Sequence, residues 1–223
     1  MYIVLDLEFN PVFFADKKSL LKNEIIQIGA VKLDKHLKVV DRFKCFVRPE
    51  YNHRIIPKIS KLTGIQNAVA FKSYTFGPAM ERFVEWISSE KCRLYSWSDA
   101  DFQQLKSEYA FKGIPMPDCF NRIMDLQRIF PRMMKISNFR RTQHMALREA
   151  VWYLGIDMNS EKAHDALYDA ETEAKILKSL LNGEYKKQVS CLHQFTQHSN
   201  NSTTLGDVCG GVLKNLLMQM KTA

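Results

Sequence analysis

The segment Tyr2–Asn10, YIVLDLEFN, places two carboxylates in an otherwise apolar run. Side chains alternate between the two faces of a β-strand, so Asp6 and Glu8 point to the same face. Two negative charges at this separation repel each other unless a cation lies between them. The segment therefore predicts a strand that ends at a metal site.

The segments that follow predict an α/β domain built on a mixed sheet. Three strand-like runs in the first 50 residues, joined partly by short polar connections, indicate an antiparallel meander. Apolar residues at helical spacing then alternate with two further strand-like runs, so we expect five strands flanked by helices. The predicted strands are 2–7, 24–33, 39–47, 93–97 and 123–126, and the predicted helices lie near 80–87, 102–109, 147–154 and 166–181.

The composition is that of a globular chain with an excess of positive charge. Of the 223 residues, 46% are hydrophobic and 25% are charged. A chain of this length and apolar content can form one substantial domain. There are 32 Lys and Arg against 24 Asp and Glu, a net charge of +8. This surplus favours a polyanionic partner such as nucleic acid.

The cysteines and the apolar runs bear on the cellular compartment. The five cysteines are scattered and form no CxxC pair, which favours reduced thiols over a disulfide framework. No signal-peptide pattern precedes the first apolar run, and no stretch approaches the roughly 20 apolar residues that span a bilayer. We therefore expect a soluble, cytoplasmic protein with no membrane partner.

Two further acidic positions stand at a predicted strand end and a predicted helix start. Asp101 follows the strand at 93–97, with Asp99 as the alternative, and Asp169 begins the last long helix. Ligand groups converge at such places in an α/β sheet. Four carboxylates without a Cys/His cluster suit a hard divalent cation, Mg²⁺ or Mn²⁺, rather than zinc.

His164 precedes Asp169 by five residues, too far for the two side chains to share one helix face. The spacing places His164 in the loop before the helix and Asp169 in its first turns. A solvent-reachable imidazole beside a metal site can take a proton from water near neutral pH. Asp165 is predicted to cap the N-terminus of the helix rather than to take part in chemistry.

In this order, the motifs resemble those of the DEDDh family of 3′→5′ exonucleases, whose fold is RNase H-like. The matches are Asp6-x-Glu8, Trp97-x3-Asp101-x3-Leu105, His164-x4-Asp169, and the supporting stretches 24–30 (EIIQIGA) and 59–65 (ISKLTGI). Each motif alone is common by chance, but five in order over residues 2–181 are specific. Phe9 and Trp97 make the chain most similar to the ERI-1-like and KapD-like branch.

The resemblance implies a phosphodiester hydrolase that uses two Mg²⁺ or Mn²⁺ ions. Asp6 would bridge both ions, and Glu8 and Asp169 would hold one of them. Asp101 would support the other ion, and His164 would be the general base toward the attacking water. The products would be nucleoside 5′-monophosphates released from single-stranded 3′ ends, with RNA slightly favoured over DNA.

A basic block and three apolar or aromatic residues are the candidates for contact with the substrate. Residues 126–148 contain six basic side chains and no acidic one, and Arg140 and Arg141 are our candidates for phosphate contacts. A solvated basic face explains this block equally well. Phe9 and Leu62 are candidates to stack on the terminal base, although both also fit core positions. Trp97 of the second motif completes the predicted substrate-binding set.

We expect an exonuclease domain at 1–184, followed at 185–223 by a polar linker and a short amphipathic segment. That last segment either docks on the domain or binds a partner protein. The sequence leaves the oligomeric state open. The alternative function is a nucleic-acid-binding or polymerase-associated proofreading or adaptor module with the same fold. A module that has lost turnover would lack one or more of the five catalytic groups, all of which are present here.

Overall fold

Five strands form one mixed sheet in the computed structural model, which describes residues 1–13, 21–52, 54–87, 91–136 and 145–190. The strands are β1 (Tyr2–Pro11), β2 (Asn23–Leu33), β3 (Val39–Phe46), β4 (Arg93–Ser96) and β5 (Ile123–Asp125). Their order across the sheet is β3-β2-β1-β4-β5. The first three strands are antiparallel, β4 is parallel to β1, and β5 is parallel to β4. The predicted RNase H-like sheet is therefore confirmed.

Up to residue 182, the described residues also form seven α-helices, of which three were not predicted. They are α1 (Pro57–Thr63), α2 (Asn67–Ala70), α3 (Phe76–Ile87), α4 (Asp99–Lys112), α5 (Leu126–Met133), α6 (Leu147–Leu154) and α7 (Ala166–Asn182). The unpredicted helices α1 and α2, of seven and four residues, hold too few turns to show an apolar period, and α5 contains Pro131, which disfavours a helix. Within the described part of the chain, no helix is long and apolar enough to cross a membrane.

The two faces of β1 serve different purposes. Ile3, Leu5 and Leu7 are buried in the main hydrophobic core. There they join side chains of α3 and α4, including Phe76, Met80, Phe83, Leu105 and Tyr109. Because successive side chains of a strand alternate, Asp6 and Glu8 lie on the opposite face. The apolar face thus anchors the strand that carries the two carboxylates.

The chain divides into two compact units. The first, residues 1–126 and 159–174, contains the sheet and the five predicted catalytic residues. Of the described residues, the second contains 127–136, 145–158 and 175–190. Within the second unit, the Gln127 side chain donates a hydrogen bond to the Met145 carbonyl at 2.8 Å.

The proposed domain boundary at residue 184 stays a prediction. Residues 185–190 are helical, although a polar linker was expected to begin there. Residues 191–223, which include the amphipathic segment with its suggested partner-binding role, lie outside the described residues.

Gly29 allows the start of α7 to approach the sheet closely. It pairs with Asp6 across β1 and β2. A Cβ atom at Gly29 would lie 2.1 Å from backbone atoms of Ala166 and Leu167. On the same face of β2, the Gln27 side chain accepts a hydrogen bond of 3.0 Å from the Ala166 backbone N–H. The EIIQIGA stretch, which is part of β2, therefore holds the start of α7 against the sheet next to β1.

Gly29→Ala is expected to lower the free energy of unfolding by about 1–3 kcal/mol, because the added methyl group forces backbone atoms apart. Urea denaturation measures this change. Gly77→Ala is the matched control, since a Cβ there would meet only Ile114 Cδ1, at 3.8 Å. The control should leave stability unchanged or raise it by up to about 1 kcal/mol, because Ala favours a helix. Equal destabilisation by both substitutions would contradict the close approach.

Candidate active site

The carboxylates of β1 lie on the face that meets the start of α7. Asp6 pairs with Gly29 and Glu8 with Gln27, the two β2 residues that contact Ala166. The strand register therefore places both acids next to the first turn of α7.

Asp101 reaches the same place from the start of α4. The Ser98 side chain caps this helix, which sets Asp101 in its first turn. Asp101 is only 4% exposed and accepts a hydrogen bond from the Leu7 backbone N–H. Asp99, in contrast, is exposed and accepts a hydrogen bond of 3.1 Å from Gln103. Of the two alternatives in the sequence, Asp101 is thus the one that faces β1.

The start of α7 orients His164 and Asp169. Asp165 caps the helix as predicted, since its side chain accepts hydrogen bonds from the backbone N–H groups of Leu167 and Tyr168 at 3.1 and 3.3 Å. His164 lies before the helix in a left-handed conformation, with φ at 67°. Its backbone N–H donates a hydrogen bond of 2.8 Å to Asp169 Oδ2. The loop and the first turn are therefore held together by the residues that carry the predicted chemistry.

Three potential ligand atoms converge at this point. One atom each from Glu8, His164 and Asp169 lies within 4.8 Å of the other two, and among the described residues this is the group that could hold a metal ion. The His164 side chain is exposed, whereas Asp169 is buried. Asp169 Oδ1 is buried without a hydrogen-bond partner among the described residues. A cation would supply the partner that this oxygen lacks.

Burial and, after it, repulsion between neighbouring carboxylates raise the pKa values of the acidic residues in this group. Burial raises the pKa of Asp6 well above its usual range, and four neighbouring carboxylates raise it further. In decreasing order of effect, these belong to Glu173, Asp101, Glu8 and Asp169. Burial, with Asp169 as the strongest neighbour, raises the pKa of Glu8 to about 8. Burial raises that of Asp101 to about 7. Divalent cations would relieve this repulsion, and an oxygen-rich donor set suits hard cations.

The raised pKa values make the stability of the cation-free protein depend on pH. The pKa of Glu8 rises from 4.5 to about 8 on folding, so the folded state binds this proton more tightly. That stabilisation is fully present below pH 4.5 and is lost as the pH rises through about 8. Asp101 acts with the same sign between 3.8 and about 7. We therefore expect the Tm in EDTA to fall as the pH rises from about 5 to about 8.

Saturating Mg²⁺ should make this fall in Tm smaller, because the cation replaces protons on the site carboxylates. Part of the fall in Tm should persist in Mg²⁺, because burial also raises the pKa of Glu108, which lies outside this group, to about 7. Glu8→Gln should reduce the slope in EDTA. A Tm in EDTA that rises with pH would contradict the electrostatics described above.

The predicted substrate-binding residues occupy different environments. Leu62 is 46% exposed and lines a cleft of about 520 Å³. Phe9 is partly buried and packs against the main core, and Trp97 is only 8% exposed. Arg140 and Arg141 lie outside the described residues. The roles of all five residues in substrate binding stay predictions.

Two residues of the site were missed in the sequence. Gln27 binds the start of α7, a role that depends on strand register and leaves no signal in the sequence. Glu173 is the strongest charged influence on Asp6. Its spacing of four residues from Asp169 was a usable signal, because residues i and i+4 share one helix face.

Comparisons with known proteins identify the family of the chain. A family model described as "RNase_T: Exonuclease" matches residues 3–177. The chain is 23% identical over 188 residues to "ERI1 exoribonuclease 3" of Homo sapiens, covering 80% of this chain and 53% of that protein. It is 26% identical over 185 residues to "DNA polymerase III subunit epsilon" of Aquifex aeolicus (strain VF5), covering 81% of this chain and 80% of that protein. The chain thus spans about half the length of the ERI1 relatives that it matches.

Solved structures share the fold. The nuclease domain of 3′hExo, described as a DEDDh family member bound to rAMP, superposes with a TM-score of 0.71 at 22% identity, covering 82% of this chain and 92% of that chain. A structure of exonuclease I superposes with a TM-score of 0.62 at 15% identity, covering 87% of this chain and 43% of that chain. Because the exonuclease model matches most of its length, the chain belongs to the RNase_T exonuclease family, within the DEDDh, DnaQ-like group that its motifs resemble.

Proposed function

We propose that this chain is a metal-dependent 3′→5′ exonuclease that releases nucleoside 5′-monophosphates from single-stranded nucleic acid, with RNA preferred over DNA. The observation that carries the proposal is the convergence of Glu8, His164 and Asp169 ligand atoms within 4.8 Å. Asp6 and Asp101 lie close to that group, since Glu8, Asp169 and Asp101 raise the pKa of Asp6, and Asp101 also raises the pKa of Glu8. Membership of the exonuclease family supplies the reaction class.

The acidic residues would hold two Mg²⁺ or Mn²⁺ ions. Asp6 would bridge both positions, Glu8 and Asp169 would hold one, and Asp101 would support the other. When bound, such ions stabilise the attacking and the leaving oxygen of a phosphodiester displacement. The unpartnered Asp169 Oδ1 and the surplus of buried negative charge support this assignment.

His164 would act as the general base. Its exposed side chain can exchange protons with solvent, while its backbone is held by the hydrogen bond to Asp169. The left-handed conformation is uncommon for a residue other than glycine, and such conformations concentrate at functional sites. This geometry presents the imidazole beside Glu8 and Asp169, where it can accept a proton from the attacking water.

The cleft beside the site would receive the terminal nucleotide. Its volume of about 520 Å³ falls in the range of small-molecule sites. Leu62 and Tyr168 offer apolar and aromatic surface for a base, and Lys61 and Lys162 offer positive charge for phosphate. Leu62 is therefore our first candidate for a contact with the terminal base.

Digestion of matched oligonucleotides tests the proposal. Single- and double-stranded RNA and DNA, labelled at the 5′ end, are incubated with Mg²⁺, Mn²⁺ or EDTA. We expect a ladder that shortens from the 3′ end, fastest for single-stranded RNA, together with nucleoside 5′-monophosphates and no reaction in EDTA. Cleavage at internal positions, or release that persists in EDTA, would show that the proposed reaction is wrong.

The RNA preference rests on the relatives named as exoribonucleases and on the rAMP in the 3′hExo structure. The similarity to a DNA polymerase subunit favours DNA instead. The relative rates on the two single strands separate these alternatives, because only RNA offers a 2′-OH for contact.

A further inference from the structure

We propose that Glu173 is a fifth acidic group of the divalent-cation centre and that its charge raises the affinity of this centre for cations. The inference rests on the proposed function, since it concerns the same centre. Glu173 lies four residues after Asp169 on α7, so both side chains share one face of the helix. Its side chain is fully buried, with 0% exposure.

The carboxylate of Glu173 is unsatisfied within the described part of the chain. Both of its oxygens are buried and neither has a hydrogen-bond partner. The Trp97 backbone N–H lies near the group and offsets part of the rise in its pKa. Burying a carboxylate without a donor or a counter-charge is costly, so the fold alone does not account for this residue.

Glu173 lies near the acidic residues of the cation centre. Asp101 and Asp169 are the charges that act on it, and both are acidic. In turn, Glu173 exerts the largest charge effect on Asp6. An additional negative charge in a poorly solvated site strengthens the attraction for a divalent cation. It does so without belonging to the three-ligand group, so Glu173 is a positioning residue that acts through its charge.

Glu108 shows how the same fold satisfies a structural glutamate. It is also buried, at 1% exposure, but it accepts hydrogen bonds from the Ile25 backbone N–H at 2.9 Å and from Gln104 at 3.1 Å. It also faces Lys112 Nζ at 3.7 Å. Glu173 has no comparable set of partners among the described residues, and this contrast separates a cation-binding role from a purely structural one.

Glu173→Gln tests the proposal on protein without nucleic acid. Calorimetric titration with Mn²⁺ should show an affinity lowered about 10-fold or more, the scale found for groups that support metal ligands. In EDTA the Tm of this variant should rise, because a buried and repelled carboxylate is removed. The increase in Tm produced by Mn²⁺ should become smaller. A purely structural role would lower the Tm equally in both conditions.

Glu108→Gln is the matched control for the removal of a buried carboxylate. It should lower the Tm with and without Mn²⁺ and leave the Mn²⁺ affinity unchanged. Glu173→Asp keeps the charge and should retain more of the affinity than Glu173→Gln.

Unchanged Mn²⁺ affinity in Glu173→Gln, equal losses in Glu173→Gln and Glu173→Asp, or a Glu173→Gln variant that does not fold in EDTA would each overturn the inference. If the unaltered chain binds Mn²⁺ and releases nucleotides, any of these outcomes refutes only the role of Glu173 and leaves the proposed function standing. A chain that releases no nucleotides would instead refute the proposed function.

Discussion

Asp6→Asn is expected to slow the release of nucleotides from a single-stranded oligonucleotide by about 10³-fold or more. The substitution removes the carboxylate that we assign to both cations, and each 1.36 kcal/mol of lost transition-state stabilisation lowers the rate about tenfold. The same variant should unfold at a higher temperature in EDTA, because it removes a partly buried acid that four other carboxylates repel. Initial rates in saturating Mg²⁺ and thermal unfolding in EDTA measure the two effects.

The control for Asp6→Asn is Asp99→Asn, which removes an exposed carboxylate near the second motif. It should leave the rate unchanged, whereas Asp101→Asn should lower it strongly. Release of nucleotides at the normal rate by Asp6→Asn would contradict the mechanism. Binding of nucleic acid by the unaltered chain with no turnover would favour the alternative, a binding or adaptor module.

His164→Ala is expected to lower the rate by about 10²- to 10⁴-fold, the usual contribution of a general base. The effect should lie in catalysis more than in cation binding, because the Asp6 and Asp169 carboxylates remain. The rise in Tm produced by Mg²⁺ should therefore largely persist, unlike in Asp6→Asn. Imidazole added to the buffer should restore part of the rate, since the removed side chain was exposed.

His36→Ala is the matched control for the histidine prediction. His36 is exposed in the turn between β2 and β3, where its backbone N–H bonds to Asp34. Its removal should change neither the rate nor the Mg²⁺ effect. If imidazole fails to restore activity to His164→Ala and Mg²⁺ binding is lost as well, His164 acts as a ligand rather than as a base.

The strands and the catalytic motifs can be predicted from the sequence, because both depend on residues that are close together in the chain. Alternation along Tyr2–Asn10 separates the core face of β1 from its acidic face, and this is a property of any β-strand. The placement of His164 before a helix and of Asp169 in its first turn follows from helical geometry. The capping role of Asp165 follows from residue type, and the structure confirms it.

Other features depend on contacts between segments that are distant in the chain. The spacing to Leu105 favours Asp101 over Asp99, but only the direction of α4 relative to β1 shows that Asp101 contacts β1 while Asp99 is exposed. The role of Gln27 requires the approach of α7 139 residues later. The short helices α1 and α2 were missed because four to seven residues show no clear period, and α5 was missed because it contains Pro131.

The sequence by itself determined the five strands along the chain, the family and the candidate acidic and histidine residues, because local periodicity and motif spacing depend on neighbouring residues. Only the tertiary structure decided that Glu8, His164 and Asp169 converge, that Gly29 admits the backbone of Ala166, and that Glu173 is buried against the other acids. The physical reason is that repulsion and close packing depend on distances through space, and these arise when β1, α4 and α7 meet.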